Sequence, residues 1–309
     1  MITSVFKKST PLNFSLVVIL ILIFFLMYQF QNVSWMNSGI LILNKVVILS
    51  VLLASVLITN FVAKKNGMSK DSTYTIFFYF LFLLFFPSIL DNLNLVVSNF
   101  FILLALRRLI SLQSLKASNE KIFDASLWIF VAALFHFWSI LFIVLVFISI
   151  LFHVSREFKN WVLPFIALLI VGIISIFLSM IFNVSIIEFL NKKATTNFQI
   201  DYFTNNYQNG ALSIYATVAL FFVISMFATI SHRPLLLHTS FKKIIASFFI
   251  GVLIFVVSPN KSNDLLVFTF APMAIMATSH IEIAQLKLKQ EIVLFVLIAC
   301  SLFAFFSQL

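Results

Sequence analysis

Residues 125–153 read ASLWIFVAALFHFWSILFIVLVFISILFH, and the path of the whole chain depends on whether this run crosses a membrane once or folds back. A crossing helix needs about 20 apolar residues, so the run is long for one helix and short for two full crossings. His136, Phe137, Trp138 and Ser139 interrupt it near the middle. Charge decides between the readings, because lysine and arginine collect in the short loops on the cytoplasmic side. If the run is a hairpin of two short helices with both ends inside, 16 of the 20 basic residues lie inside, and only Lys45, Lys192, Lys193 and Lys261 lie outside. If it crosses once, every later loop changes side and the split becomes 12 against 8. The hairpin is therefore the reading adopted. It puts 6 acids inside and 4 outside, so the inner face carries +10 (16 − 6) and the outer face is neutral (4 − 4).

The rest of the sequence agrees with a lipid environment. Of 309 residues 62% are hydrophobic and 10% charged, with 41 Phe against 5 Gly, far more apolar surface than a soluble core can use. Apolar runs fall near 13–30, 45–63, 73–89, 93–110, 125–153, 161–182, 211–230, 244–258, 264–281 and 291–307. Backbone groups in hydrocarbon must bond internally, and strand-period alternation is absent, so these runs are helices. The expected fold is all-α: a polytopic transmembrane bundle of about ten to eleven segments, one membrane domain over residues 1–309. The N-terminus is expected in the cytoplasm and the C-terminus in the periplasm. The first run starts at Lys7 and Lys8, is too long for a signal-peptide core and lacks a small-residue cleavage site, so it reads as an uncleaved helix. The net charge of +10 resides at span ends rather than on a soluble basic face, which excludes a nucleic-acid partner. Cys300 is the single cysteine, so no intramolecular disulfide forms. The bias toward Phe, Ile, Leu, Asn and Lys, with little Gly, points to an AT-rich bacterial genome and hence to a bacterial inner membrane.

No metalloprotease helix, phosphate-binding loop or dinucleotide fingerprint occurs. Ionisable residues near the membrane are then the main clue, because they are costly there. Asp91, at the outer end of the third helix, could serve as a base or hold a metal or a sugar hydroxyl; it could equally cap the fourth helix. Lys45, at the outer start of the second helix, could meet a lipid phosphate or snorkel to water. Ser38 to Asn44, just before it, could lie along the interface. His136 sits at the hairpin tip, as a ligand or as a neutral imidazole at a helix break. Lys261 and Asp264 cap the ninth segment from outside, while Arg107 and Arg108 form a dipole-matched inner terminus. The largest external loop, 183–210, carries Glu188, Lys192, Lys193 and Asp201, with Tyr202, Phe203 and Tyr207 suited either to the interface or to a groove for a sugar or lipid head. The candidate catalytic residue is Asp91; the candidate lipid-phosphate or substrate contacts are Lys45, Glu188, Asp201 and Lys261. No cofactor is expected, although a divalent ion beside Asp91 is compatible with its chemistry.

Two resemblances follow. Asp91, LALRRL, the 115–124 loop, ASLWIFVAALFHFWSILFIVLVF and HVSREFKNW together resemble a segment of C-type glycosyltransferase membrane proteins. There an outer acid opens a helix ending in a basic cluster, and a pair of short helices follows, meeting at a polar residue. The resemblance covers about a quarter of the chain and implies transfer of a sugar from a polyprenyl-phosphate carrier at the outer face. That family usually keeps an essential acid in the first external loop. Residues 31–44 hold none, and only Asp91 matches an acidic position, in the second loop. The opening MITSVFKKSTPLNF, LLALRRLISLQS and LLVFTFAPMAIMATSHIE resemble a flavobacterial (Bacteroidota) inner-membrane family of unknown function.

Three functions are thus in competition. The chain is a glycosyltransferase or degenerate relative binding a polyprenyl-phosphate lipid; or a transporter or flippase hinged at Pro87, Pro164 or Pro272; or a non-catalytic subunit bound to envelope-assembly proteins. Membrane lipids are expected partners in each.

Overall fold

The structure, a computed structural model, describes residues 2–182, 185, 193–198, 205–283 and 286–309. Among these residues it is helical throughout, with no strand. A short α1 (Ile2–Phe6) precedes α2 (Pro11–Gln29), α3 (Gly39–Lys65), α4 (Tyr74–Leu84), α5 (Leu93–Ile110), α6 (Ser118–Phe135) and α7 (Ile143–His153). Then come α8 (Phe158–Phe182), α9 (Asn206–Thr229), α10 (Leu235–Val257), α11 (Val267–Glu282) and α12 (Lys287–Ser307). Among the described residues eight stretches are long and apolar enough to cross a membrane: α2, α3, Leu93–Ser114, α8, Asn206–His232, α10, Asn263–Glu282 and α12. Tyr74–Leu84 and Phe137–His153 are shorter apolar segments between them, and α6 is the remaining one, with Glu120 in its first turn.

Local chemistry sets the helix ends. Thr10 caps α2, its hydroxyl accepting from the Asn13 N–H at 3.3 Å, and Pro11 supplies the fixed φ of a first turn. Lys64 and Lys65 close α3, and Arg107 and Arg108 close α5, where cations suit the negative end of the helix dipole. Gly67 then turns the chain out of α3 with φ +69°. α3 starts at Gly39, so Ser38–Asn44 does not lie apart along an interface: all but Ser38 belongs to the first turns of the helix. Lys45 accordingly sits in the second turn of α3 rather than opening it.

The decisive run folds back. His136 leaves helical geometry (φ −133°, ψ 107°), and a 3-10 turn, Phe137–Phe142, leads into α7. α10 touches both ends of the returning limb. Near its start, the buried Lys243 donates to the Leu109 carbonyl at 2.6 Å and lies 3.4 Å from His153 Nε2; at its far end, Ser258 lies 3.3 Å from His136 Nε2. Ser118 and residues Leu151–Glu157 line one cavity, which places the two ends of the run side by side. The first limb is longer than the apolar pattern suggests. At ~1.5 Å per residue α6 rises ~27 Å, nearly a full hydrocarbon thickness, because it begins at Ser118, before the apolar run.

The centre of the bundle is the pair α4 and α11, packed on each other. Every residue of α4 is buried, as is every residue of α11 from Val267 to Ser279. A helix that is apolar on all sides belongs inside. Hydroxyls in this core find partners: Tyr215 meets Thr269 at 2.6 Å, Thr278 meets Thr75 at 3.2 Å, and Asn99 donates to the Tyr79 oxygen at 3.1 Å. Gly251 lets α10 approach α11 closely, since a Cβ there would come within 2.8 Å of Thr269 Cγ2 and 3.2 Å of the Phe268 carbonyl. Pro272 cannot donate a backbone N–H to that carbonyl, so the close approach falls on a weakened turn of α11.

Candidate functional site

The charged side chains sort to the two ends of the bundle. One end holds Lys64 with Asp71 (3.0 Å) and Arg108 with Asp124 (2.7 Å). There too the Glu282 carboxylate accepts from Ser69 (2.9 Å), Ser72 (2.6 Å) and the Lys70 N–H (2.8 Å). The Lys64 ammonium holds the exposed Asp71 carboxyl below the usual carboxylate range. This is the basic end. The opposite end holds Lys45, Asp91, Lys261 and Asp264. The two chain termini lie at opposite ends: Thr3 bonds to Glu291 at the start of α12, while Gln308 donates to the Phe85 carbonyl at the other end.

Asp91 is the hub of the end opposite the basic one. Pro87 stops α4 and starts a 3-10 turn, Pro87–Asp91, which delivers the carboxylate beside α2 and α3. Lys45 forms an ion pair with its Oδ1. Gln29 Nε2 donates to the same oxygen at 3.1 Å and to the Leu90 carbonyl at 3.2 Å; the Tyr28 hydroxyl donates to Oδ2 at 3.3 Å. Trp35, from the turn between α2 and α3, donates to the Gln29 carbonyl at 3.0 Å and holds that wall in place. These groups line a cavity of about 400 Å³. The Asp91 side chain keeps 52% of its surface exposed, while Lys45 keeps 17%. Asp91 does not cap α5: the Asn92 side chain does, its Oδ1 accepting from the Leu95 N–H at 3.3 Å. Asp91 thus neither caps a helix nor is buried, and three side chains grip its carboxylate.

The charge of Asp91 reaches Asp264. Asp264 does not face outward as a cap for the ninth segment. It is 8% exposed and accepts a hydrogen bond from Ser88, one turn before Asp91. Lys261 does not join the Asp91 cavity either. Its ammonium donates to the carbonyls of Asn197 and Ser258, and it lines a separate cavity of about 600 Å³ beside His136 and Lys193. His136, at the break between the two limbs, borders this cavity. Tyr207 is exposed at the start of α9. Glu188 and Asp201, with Lys192, Tyr202 and Phe203, lie outside the described residues. Among the described residues no group of three or more His, Cys, Asp or Glu is placed to hold a metal ion.

Tyr28 and Gln29 are neighbours of Asp91 that the sequence does not single out. They precede Asp91 by 63 and 62 positions, and no spacing links them. The available signal was indirect: two polar residues at the end of an otherwise apolar helix that faces the same side as Asp91.

Fold and site together define a multi-pass α-helical membrane protein with a charged cavity at one end. The chain belongs to the family of unknown function DUF6427, whose model matches residues 4–309. No curated protein and no solved structure matches it.

Proposed function

We propose that this protein handles a lipid-phosphate-linked sugar at the outer face of a bacterial inner membrane, as a polyprenyl-phosphate-dependent glycosyltransferase or a relative that keeps only the lipid binding. The positive-inside rule makes the basic end cytoplasmic and the Asp91 end periplasmic. The observation that carries the reading is the Asp91–Lys45 pair, held by Tyr28 and Gln29 inside a cavity. The C-type glycosyltransferase pattern calls for an acid at the first external segment, and the sequence between α2 and α3 has none. Asp91, from the turn after α4, bonds to Tyr28 and Gln29 at the end of α2, which supports reading it as that acid.

In this reading the incoming phosphate takes the Lys45 ammonium and releases Asp91. The freed carboxylate accepts the proton of an acceptor hydroxyl as its oxygen bonds to the anomeric carbon. The bond between that carbon and the carrier phosphate oxygen breaks, and the electron pair leaves with the polyprenyl phosphate. A positioned base contributes typically ~10²–10⁴-fold. Replacing Asp91 by Asn should therefore lower transfer by at least ~10²-fold, and Lys45→Gln should mainly weaken donor binding. The measurement is the profile of lipid-linked sugars and surface glycans in cells carrying each variant. An unchanged profile with Asp91→Asn removes the catalytic version, leaving lipid binding to be tested with Lys45→Gln.

A further inference from the structure

The second cavity at the Asp91 end has a different character. Among the described residues its lining carries two ammonium groups, Lys193 and Lys261, with His136, Asn92, Asn94 and Asn260, and no carboxylate. Lys261 has three N–H groups, and the carbonyls of Asn197 and Ser258 take two, so one remains to meet an anion. Lys193 lies close enough to His136 for its charge to act on the imidazole. The first residues of α5 border the same space, adding the positive end of an 18-residue helix. Each contribution favours negative charge.

Directly beside it lies an apolar groove of about 580 Å³ between α6 and α8. Phe137 lines both spaces. Among the described residues the hydroxyls in the groove are those of Ser175 and Ser179, each spent on its own helix through the Val171 and Ile176 carbonyls at 2.7 Å. The rest of the described lining is apolar. On α8 the lining runs from Leu168 to Phe182, a rise of ~21 Å at ~1.5 Å per residue. That is somewhat more than one leaflet's half of a ~30 Å hydrocarbon layer. The groove is closed on one side by α6 and is flanked on α8 by exposed apolar residues such as Leu169 and Phe177.

We propose that these two spaces form one site for an anionic phospholipid of the outer leaflet, with its phosphate against Lys261 and one acyl chain in the α6–α8 groove. Charge complementarity selects an anionic head. A chain length confined to a single leaflet favours an acyl chain over a long polyprenyl tail. The site uses neither Asp91 nor Lys45, so it stands or falls apart from the glycosyl-transfer reading.

The test is native mass spectrometry of the full chain in nanodiscs of phosphatidylglycerol mixed with phosphatidylcholine. The wild type should retain one phosphatidylglycerol per chain in preference to phosphatidylcholine. Lys261→Gln should weaken that retention by about fivefold, the effect of one lysine on an anionic lipid head. Gly172→Phe, at a position where a Cβ meets nothing within 4 Å, should fill the groove and abolish retention while leaving the thermal midpoint in place. Lys116→Gln, at the basic end, should retain lipid as the wild type does. Equal retention in wild type, Lys261→Gln and Gly172→Phe would overturn the proposal. So would retention of phosphatidylcholine as strong as that of phosphatidylglycerol, or displacement of phosphatidylglycerol by equimolar polyprenyl phosphate.

Discussion

α4 and α8 are both apolar enough for hydrocarbon, yet they occupy opposite environments. Every residue of α4 is buried in protein, whereas α8 buries only Asn160, Pro164, Ala167 and Val171. Length is the first difference. α4 has 11 residues, about 16 Å at ~1.5 Å per residue, too short to span ~30 Å alone. It does not have to, because protein covers it on all sides, and Pro87–Asp91 completes its path to the membrane surface. α8 has 25 residues and faces lipid, so its length must match the bilayer. Aromatic content is the second difference. On α4, Phe78 and Phe82 interlock with Phe222, and Phe82 meets Tyr215 edge to face at 5.9 Å. On α8, Phe177 and Phe182 stand exposed. Phenylalanine here is a packing element in the centre and a lipid-facing group at the edge.

The comparison is sharpened most by truncating one ring from each helix. Phe82→Ala should lose about 3–5 kcal/mol, the usual result of emptying a buried aromatic site. Phe177→Ala, where the side chain is 63% exposed, should stay within about 0.5 kcal/mol. Thermal unfolding of the two variants in the same detergent measures the gap, and equal losses would break the distinction between centre and edge. A smaller effect is expected where a central helix is approached by its neighbour. Gly251→Val should destabilise by about 1–3 kcal/mol, because the new side chain meets the Phe268 carbonyl and Thr269. A neutral result in the same unfolding measurement would mean that α10 and α11 can separate freely.

How far these features are legible in the sequence differs by type. Helix positions follow from apolar runs, and the fold-back at His136 follows from the lysine and arginine count, because both are one-dimensional signals with a physical cause. The burial of α4 is not legible, since a helix apolar on all sides looks the same whether protein or lipid surrounds it. The charged start of α6 hid about two turns of helix before residue 125. At the site, Asp91 and Lys45 stood out as costly charges near the membrane. Their pairing did not, because 46 positions separate them and only the packing of α2, α3 and the Pro87 turn joins them. The choice of Asn92 over Asp91 as cap rests on one residue of offset, below what a capping preference resolves. Lys261 was grouped with the same site by its side of the membrane, and the fold assigns it to the neighbouring cavity.

The account rests on the basic end facing the cytoplasm and the Asp91 end facing outward. The direct measurement is labelling of intact cells with a membrane-impermeant thiol reagent, in a Cys300→Ser background carrying Asn94→Cys or Leu236→Cys. Both positions are exposed, at opposite ends of the bundle. The account predicts that Asn94→Cys is labelled and that Leu236→Cys is labelled only after the cells are broken. Labelling of Leu236→Cys in intact cells would contradict it.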